Sequence, residues 1–244
     1  MEMNNNQQPR ELFPSLWSNQ EELALATNTC LAKVFLRMFA ALLVTAAVSF
    51  GISQTPAIMN VLIENPTITF VVMGAQIVLV LALSFMVMKL SPVISNIMFF
   101  VYAIMTGISL SFIFIFFDLG TIFQAFAISA LMFGAMAAYG IITQRDLTGM
   151  GSFLFMALIG LIIASVVNIF FFNETTSIII NYVGVLIFAG LTAYHTQRIK
   201  KMLAEANEAN CEDAIKKISI CGALSLYLSF INMFLRILSI LNRR

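Results

Sequence analysis

Near its carboxyl end the sequence places Gly222, Ser225, Ser229, Asn232 and Arg236 at successive intervals of three or four residues. That spacing gathers them on one face of a helix, while Leu224, Leu226, Leu228, Phe230 and Phe234 take the other faces. The chemistry open to such a stripe is hydrogen bonding and one permanent positive charge inside an otherwise apolar segment. A polar stripe ending in Arg faces the protein interior or a water-filled cavity. The alternative is that Ser and Asn bond neighbouring helices while Arg236 snorkels to lipid headgroups. The interior is expected for Asn232, and both readings stand for Arg236.

Two further residues are candidates. His195 is the single histidine and directly follows Tyr194 at the end of an apolar run. Imidazole changes charge near physiological pH, so His195 is a candidate proton sensor. The plainer reading is an interfacial residue held by a backbone carbonyl, and no carboxylate lies near it in sequence. Asn168 ends a series of small or polar residues, Gly160, Ala164 and Asn168, at one-turn spacing; Ala130, Gly134 and Ala138 form another. Small residues let helix backbones approach in lipid, so close packing is preferred to a pore lining. Asn168 is the exception, because an amide in hydrocarbon must find a partner.

Other chemistry is not visible. The sequence has no Walker loop, nucleophile elbow or HExxH motif, and one His with three scattered cysteines (Cys30, Cys211, Cys221) makes no ordinary zinc site. Neither an enzyme nor a cofactor is expected, since acid–base or metal catalysis would need carboxylates that the apolar runs lack. A net charge of +1 gives no basic face for nucleic acid.

The elements that position these residues follow from composition. Of 244 residues, 60% are hydrophobic and 10% charged, with a mean hydropathy of +0.95. A soluble domain carries about a quarter charged residues, so lipid must solvate most of this exterior. Seven runs are long enough to cross a ~30 Å hydrocarbon core at ~1.5 Å per residue: Leu31–Ile52, Thr67–Met88, Val93–Phe117, Thr121–Ile142, Met150–Phe172, Ser177–Tyr194 and Ile218–Leu235. Only the first holds Lys or Arg, and Lys33 and Arg37 lie near enough to its start to snorkel. The expectation is an all-α integral membrane protein: a polar cytoplasmic tail over residues 1–30, then one seven-helix membrane domain over 31–244. Short connections make consecutive helices antiparallel neighbours. The long connection His195–Lys217 is expected to extend the sixth helix before a solvated segment.

Lys and Arg fall on one side of this topology. Arg10, Lys33, Arg37, Lys89, Arg145, Arg198, Lys200, Lys201, Lys216 and Lys217 share the amino-terminal side, which is therefore expected to be cytoplasmic. A full seventh crossing puts Arg236, Arg243 and Arg244 on the other side. The last segment is either tolerated there or re-entrant.

Several stretches resemble the Bax inhibitor-1 family, closest to its bacterial branch. They are Tyr139-Gly-Ile-Ile-Thr-Gln-Arg-Asp-Leu-Thr148, Phe155-Met-Ala-Leu-Ile-Gly-Leu-Ile-Ile-Ala164, Val167-Asn-Ile-Phe170, Gly190-Leu-Thr-Ala-Tyr-His-Thr-Gln-Arg-Ile-Lys200 and Gly222-Ala-Leu-Ser-Leu-Tyr-Leu-Ser-Phe-Ile-Asn232. The resemblance spans nearly all of the chain after Lys33. It implies seven helices with the last one central, in the inner membrane of a bacterium. It also implies a pH-governed calcium leak in members that keep two aspartates as a latch. Here His195 and Ser229 stand at those two positions. Lys89 loosely matches a basic residue that engages the latch. Calcium prefers carboxylate oxygens, so their loss weakens the expectation of calcium conduction and alters the gating. Lys89, Asn168, Asn232 and Arg236 are candidate gate or pore partners. Two functions are carried forward: an ion leak channel for calcium or another cation, and a non-conducting regulator of other membrane proteins, such as a membrane-bound protease.

Overall fold

A computed structural model describes residues 14–242 other than Met88 and Phe172. Arg10, Arg243 and Arg244, which entered the charge count, lie outside the described residues. Among the described residues the fold consists of nine helices: α1 (Pro14–Ser53), α2 (Pro56–Glu64), α3 (Pro66–Met86), α4 (Pro92–Leu110), α5 (Ile113–Phe116), α6 (Leu119–Ile142), α7 (Thr148–Phe171), α8 (Glu174–Glu208) and α9 (Glu212–Leu241). Seven of them are long and apolar enough to cross a membrane.

Local chemistry sets the boundaries. Pro56, Pro66 and Pro92 open α2, α3 and α4, where the missing N–H costs nothing and φ is already helical. Side chains of Asp118 and Asn173 accept the Thr121 and Thr176 amides at 2.7 and 3.0 Å, so α6 and α8 start with satisfied caps. Asn210, at φ 49°, reverses the chain between α8 and α9, a left-handed position that Asn tolerates.

The core is built on α8 and α9. Their most apolar windows are 56% and 67% buried, against 6% for α3 and 11% for α7. Helix α9 packs on α1, α4, α6 and α8; α8 also meets α1, α6 and α7; α3 leans on α4. The fully buried Tyr227 of α9 stands edge-on to Phe99 and Tyr102. Its hydroxyl lies 2.7 Å from that of Thr45, which donates to the Ala103 carbonyl at 2.9 Å. This ties α1, α4 and α9 together through one hydrogen-bonded pair.

The structure refines the sequence expectations in several places. Helix α1 begins at Pro14, inside the stretch read as a polar tail. The loop after α1 holds the short helix α2, and the third run breaks after Leu110, with α5 continuing it. Helix α9 is continuous over 30 residues, about 45 Å at ~1.5 Å per residue, so it is a full-length helix and not re-entrant. Arg37 is half-buried and lines a cleft with Lys33, Glu212, Lys216 and Ser219 at the start of α9. Finally, Ala130, Gly134, Ala138 and Gly160 are exposed, and nothing lies within 4 Å of a Cβ built on Gly134 or Gly160. The packed face of α6 is Ala125, Ser129, Phe133, Ala137 and Gly140. In a helix apolar on all sides, one-turn spacing of small residues does not select the buried face. At Gly140 the close approach is real, because a Cβ would run into the backbone carbonyl of Ala193 on α8.

A charged cavity as the candidate functional site

Helices α3, α7, α8 and α9 enclose a partly open cavity of about 810 Å³. Helix α9 contributes Ser225, Ser229, Asn232 and Arg236; α8 contributes Tyr194, His195 and Arg198; α3 and α7 add Ser84, Gly151 and Ser152. The spacing on α9 makes this possible, since i, i+4, i+7, i+11 stays on one face. Four residues singled out from sequence, His195, Ser229, Asn232 and Arg236, thus line a single cavity.

Arg236 marks one end. Its guanidinium donates to Asn181 Oδ1 at 3.2 Å, with the Ser165 hydroxyl at 3.5 Å. Its aliphatic stem crosses Gly184, where an added Cβ would come within 3.2 Å. The side chain therefore turns inward to α7 and α8, which resolves the two sequence readings in favour of the interior. Among the described residues no carboxylate forms a salt bridge with it. Arg198 marks the other end, exposed, 3.5 Å from the Tyr194 hydroxyl. The Tyr194 ring is 5.3 Å from that of His195. Arg198 lies about 21 Å from the level of Gly184 along α8 at ~1.5 Å per residue.

The hydroxyl and amide groups of α9 are satisfied within their own helix. Ser225 donates to the Cys221 carbonyl at 3.0 Å, Ser229 to Ser225 at 3.0 Å and Asn232 to Leu228 at 2.8 Å. His195 and Ser229 both line the cavity, and among the described residues the Ser229 hydroxyl bonds only to its own helix. Lys89 is exposed in the turn after α3 and does not line the cavity. Asn168 is also outside it, half-buried on α7, with its Oδ1 unpartnered among the described residues.

Sequence reasoning missed three contributors. Arg198 had been read only as a side-marking charge, although it follows Tyr194 by one helical turn. Asn181 and Ser165 gave no signal as partners of Arg236, because they come from other helices. The third is a strap at the Arg198 end. Gln197 accepts the Leu147 amide at 2.9 Å and donates to the Arg145 carbonyl at 2.8 Å. Lys200 donates to the Ile141 carbonyl at 3.0 Å, and Lys201 pairs with Asp146 at 2.8 Å. The Lys201 ammonium and the Thr148 hydroxyl hold the Asp146 carboxyl down at about 2. Thus α8 fixes the α6–α7 connection.

Seven long apolar helices, four of them enclosing a polar cavity lined by two arginines, define a multi-pass α-helical membrane protein. Residues 27–244 match the family described as inhibitor of apoptosis-promoting Bax1. The chain is 42% identical over 217 residues to inner membrane protein YbhL of Escherichia coli K12, covering 89% of this chain and 92% of that protein. It is 37% identical over 228 residues to an uncharacterized protein of Borreliella burgdorferi, covering 93% and 97%. An uncharacterized membrane protein of Streptococcus pyogenes serotype M3 shares 37% over 186 residues, covering 76% and 79%. The chain belongs to the Bax inhibitor-1 family.

Proposed function

We propose that this protein is an ion leak pathway of a bacterial inner membrane, amino terminus cytoplasmic, with the cavity between α3, α7, α8 and α9 as the aqueous part of its route. The observation that carries this reading is the convergence of Ser225, Ser229, Asn232 and Arg236 of α9 with His195 and Arg198 of α8 on one partly open space of about 810 Å³. Polar and charged groups at membrane depth are costly and mark ion paths. His195 and Ser229 form the gate between α8 and α9, in place of an aspartate pair. Calcium is a hard cation that selects carboxylate oxygens; the lining supplies only hydroxyl, amide and imidazole groups besides its two arginines. Calcium leak, the activity implied by the family resemblance, is therefore weak in the native chain and rises in His195→Asp/Ser229→Asp. No catalytic role is assigned to the cavity.

The test is flux from purified protein in liposomes loaded with calcium- or halide-sensitive dyes. Flux of at least one ion above protein-free liposomes supports the pathway; none from correctly folded protein overturns it. A non-conducting regulator of a membrane-bound protease is the second reading. It is favoured by α3, whose most apolar stretch is only 6% buried. Co-purification with such a protease, lost on substituting the exposed Phe70 and Val78 of α3, would support it.

A further inference from the structure

We propose that the cavity is an anion site, with Arg236 and Asn232 binding at its inner end and Arg198 collecting at its mouth. This rests on the reading of the cavity as an ion route and gives that route its charge sign. A guanidinium stays protonated at any accessible pH, so Arg198 and Arg236 bring two positive charges, and the lining contains no Asp or Glu. Arg236 is half-buried, and its partners, Asn181 and Ser165, are neutral. They take up two N–H groups but supply no counter-charge. An unpaired guanidinium lining a cavity with low-dielectric walls attracts an opposite charge more strongly than it would in bulk water, and an anion in the cavity supplies it. The guanidinium has five N–H donors in a planar fork suited to phosphate or carboxylate oxygens. Two of them are engaged by Asn181 and Ser165, and Arg236 lines the cavity. Asn232 spends one amide hydrogen on the Leu228 carbonyl and keeps a second for a ligand.

The mouth has the same polarity. Arg198 is exposed there, and Gly151 and Ser152 belong to the opening turns of the 24-residue helix α7, whose amino-terminal dipole end adds partial positive charge. A cation entering between these groups meets like charge at both ends. An anion of phosphate type could come from water as inorganic phosphate, or from the headgroup of an anionic phospholipid through the open side of the cavity.

Two measurements on the full-length protein test this. In phosphatidylcholine bilayers under a KCl gradient, the reversal potential should lie toward the chloride equilibrium potential. Arg236→Gln should lower the chloride-to-potassium permeability ratio at least tenfold, whereas Arg236→Lys, which keeps the charge, should retain it. In detergent, sodium phosphate should raise the melting temperature above that in sodium chloride of equal ionic strength, and Arg236→Gln should lose this shift. Should Arg236→Gln fold poorly, Arg198→Gln at the exposed mouth should still reduce anion permeability. Stabilisation by phosphatidylglycerol but not by inorganic phosphate, again lost in Arg236→Gln, supports the site and makes the headgroup the source. Stabilisation by phosphate without any current supports the anion site while overturning the leak pathway. A native reversal potential at the potassium equilibrium, or no stabilisation by either phosphate source, overturns the anion site and leaves a cation pathway standing.

Discussion

At the residue scale, the cavity and the strap that α8 joins through His195 and Lys201 respond differently to pH. Asp146 is held at about 2 by Lys201 and Thr148, below the ordinary ~3.9 of an unfolded Asp. A depressed carboxyl contributes stability that is fully present above the unfolded value and is lost as pH falls through the folded one. The strap should therefore be unchanged from pH 5 to 8 and loosen only in strong acid. Limited proteolysis at Arg145 checks this: cleavage should be constant over pH 5–8. Because the pair is exposed, solvent screens it and Asp146→Asn should leave thermal stability little changed. A flux response in milder acid must then come from another group, and His195 is the single imidazole. In liposomes, His195→Gln should abolish any difference in flux between pH 4 and 7.5 while leaving the rate at pH 7.5 within about twofold, a ratio equivalent to roughly 0.4 kcal/mol. A pH response that survives His195→Gln places the sensor elsewhere.

At the element scale, helix contacts depend on which small residues face a neighbour. Gly140→Ala puts a Cβ against the Ala193 carbonyl, a rigid backbone atom, and should destabilise by about 1–3 kcal/mol. Gly134→Ala meets open space and should be neutral, or stabilise by up to about 1 kcal/mol through helix propensity. Thermal unfolding of both variants in the same detergent separates the two faces of α6; equal effects would mean that α6 is rotated from the orientation described. Where α8 holds the α6–α7 connection, Gln197→Ala leaves the buried Leu147 amide without its acceptor. The expected cost is about 1–3 kcal/mol, read as a lower melting temperature with faster cleavage at Arg145.

At the scale of the whole molecule, the Lys and Arg distribution predicts one orientation. Glu64 ends α2 and Gln144 lies in the α6–α7 connection; both are exposed and belong to opposite sides of the bundle. With Cys30, Cys211 and Cys221 replaced by Ser, a membrane-impermeant maleimide added to whole cells should label Glu64→Cys and spare Gln144→Cys. The reverse pattern would invert the topology. The described residues on the Glu64 side carry carboxylates at Glu64, Asp118 and Glu174. Acidic loops contribute little to orientation, so the basic residues carry the prediction.

Seven crossings were legible because each requires only a run of about 20 apolar residues; the helix ends were not, because apolar length marks the lipid-spanning part while caps and tertiary packing carry α1, α8 and α9 beyond it. The polar face of α9 was legible for a local reason: Ser225, Ser229, Asn232 and Arg236 share a face by helical geometry alone. The chain alone thus determined membrane insertion, the number of crossings and a polar stripe. Which face of α6 or α7 is buried was not legible, because lipid and protein are equally apolar neighbours and no hydrophobic contrast marks the inner side. The destination of the stripe also depended on the tertiary structure. Asn181 and Ser165 lie 55 and 71 residues before Arg236, and only the packing of α7 and α8 around α9 turns its guanidinium inward. That packing also brings His195 and Ser229, 34 residues apart in sequence, to one cavity, although the Ser229 hydroxyl donates within its own helix.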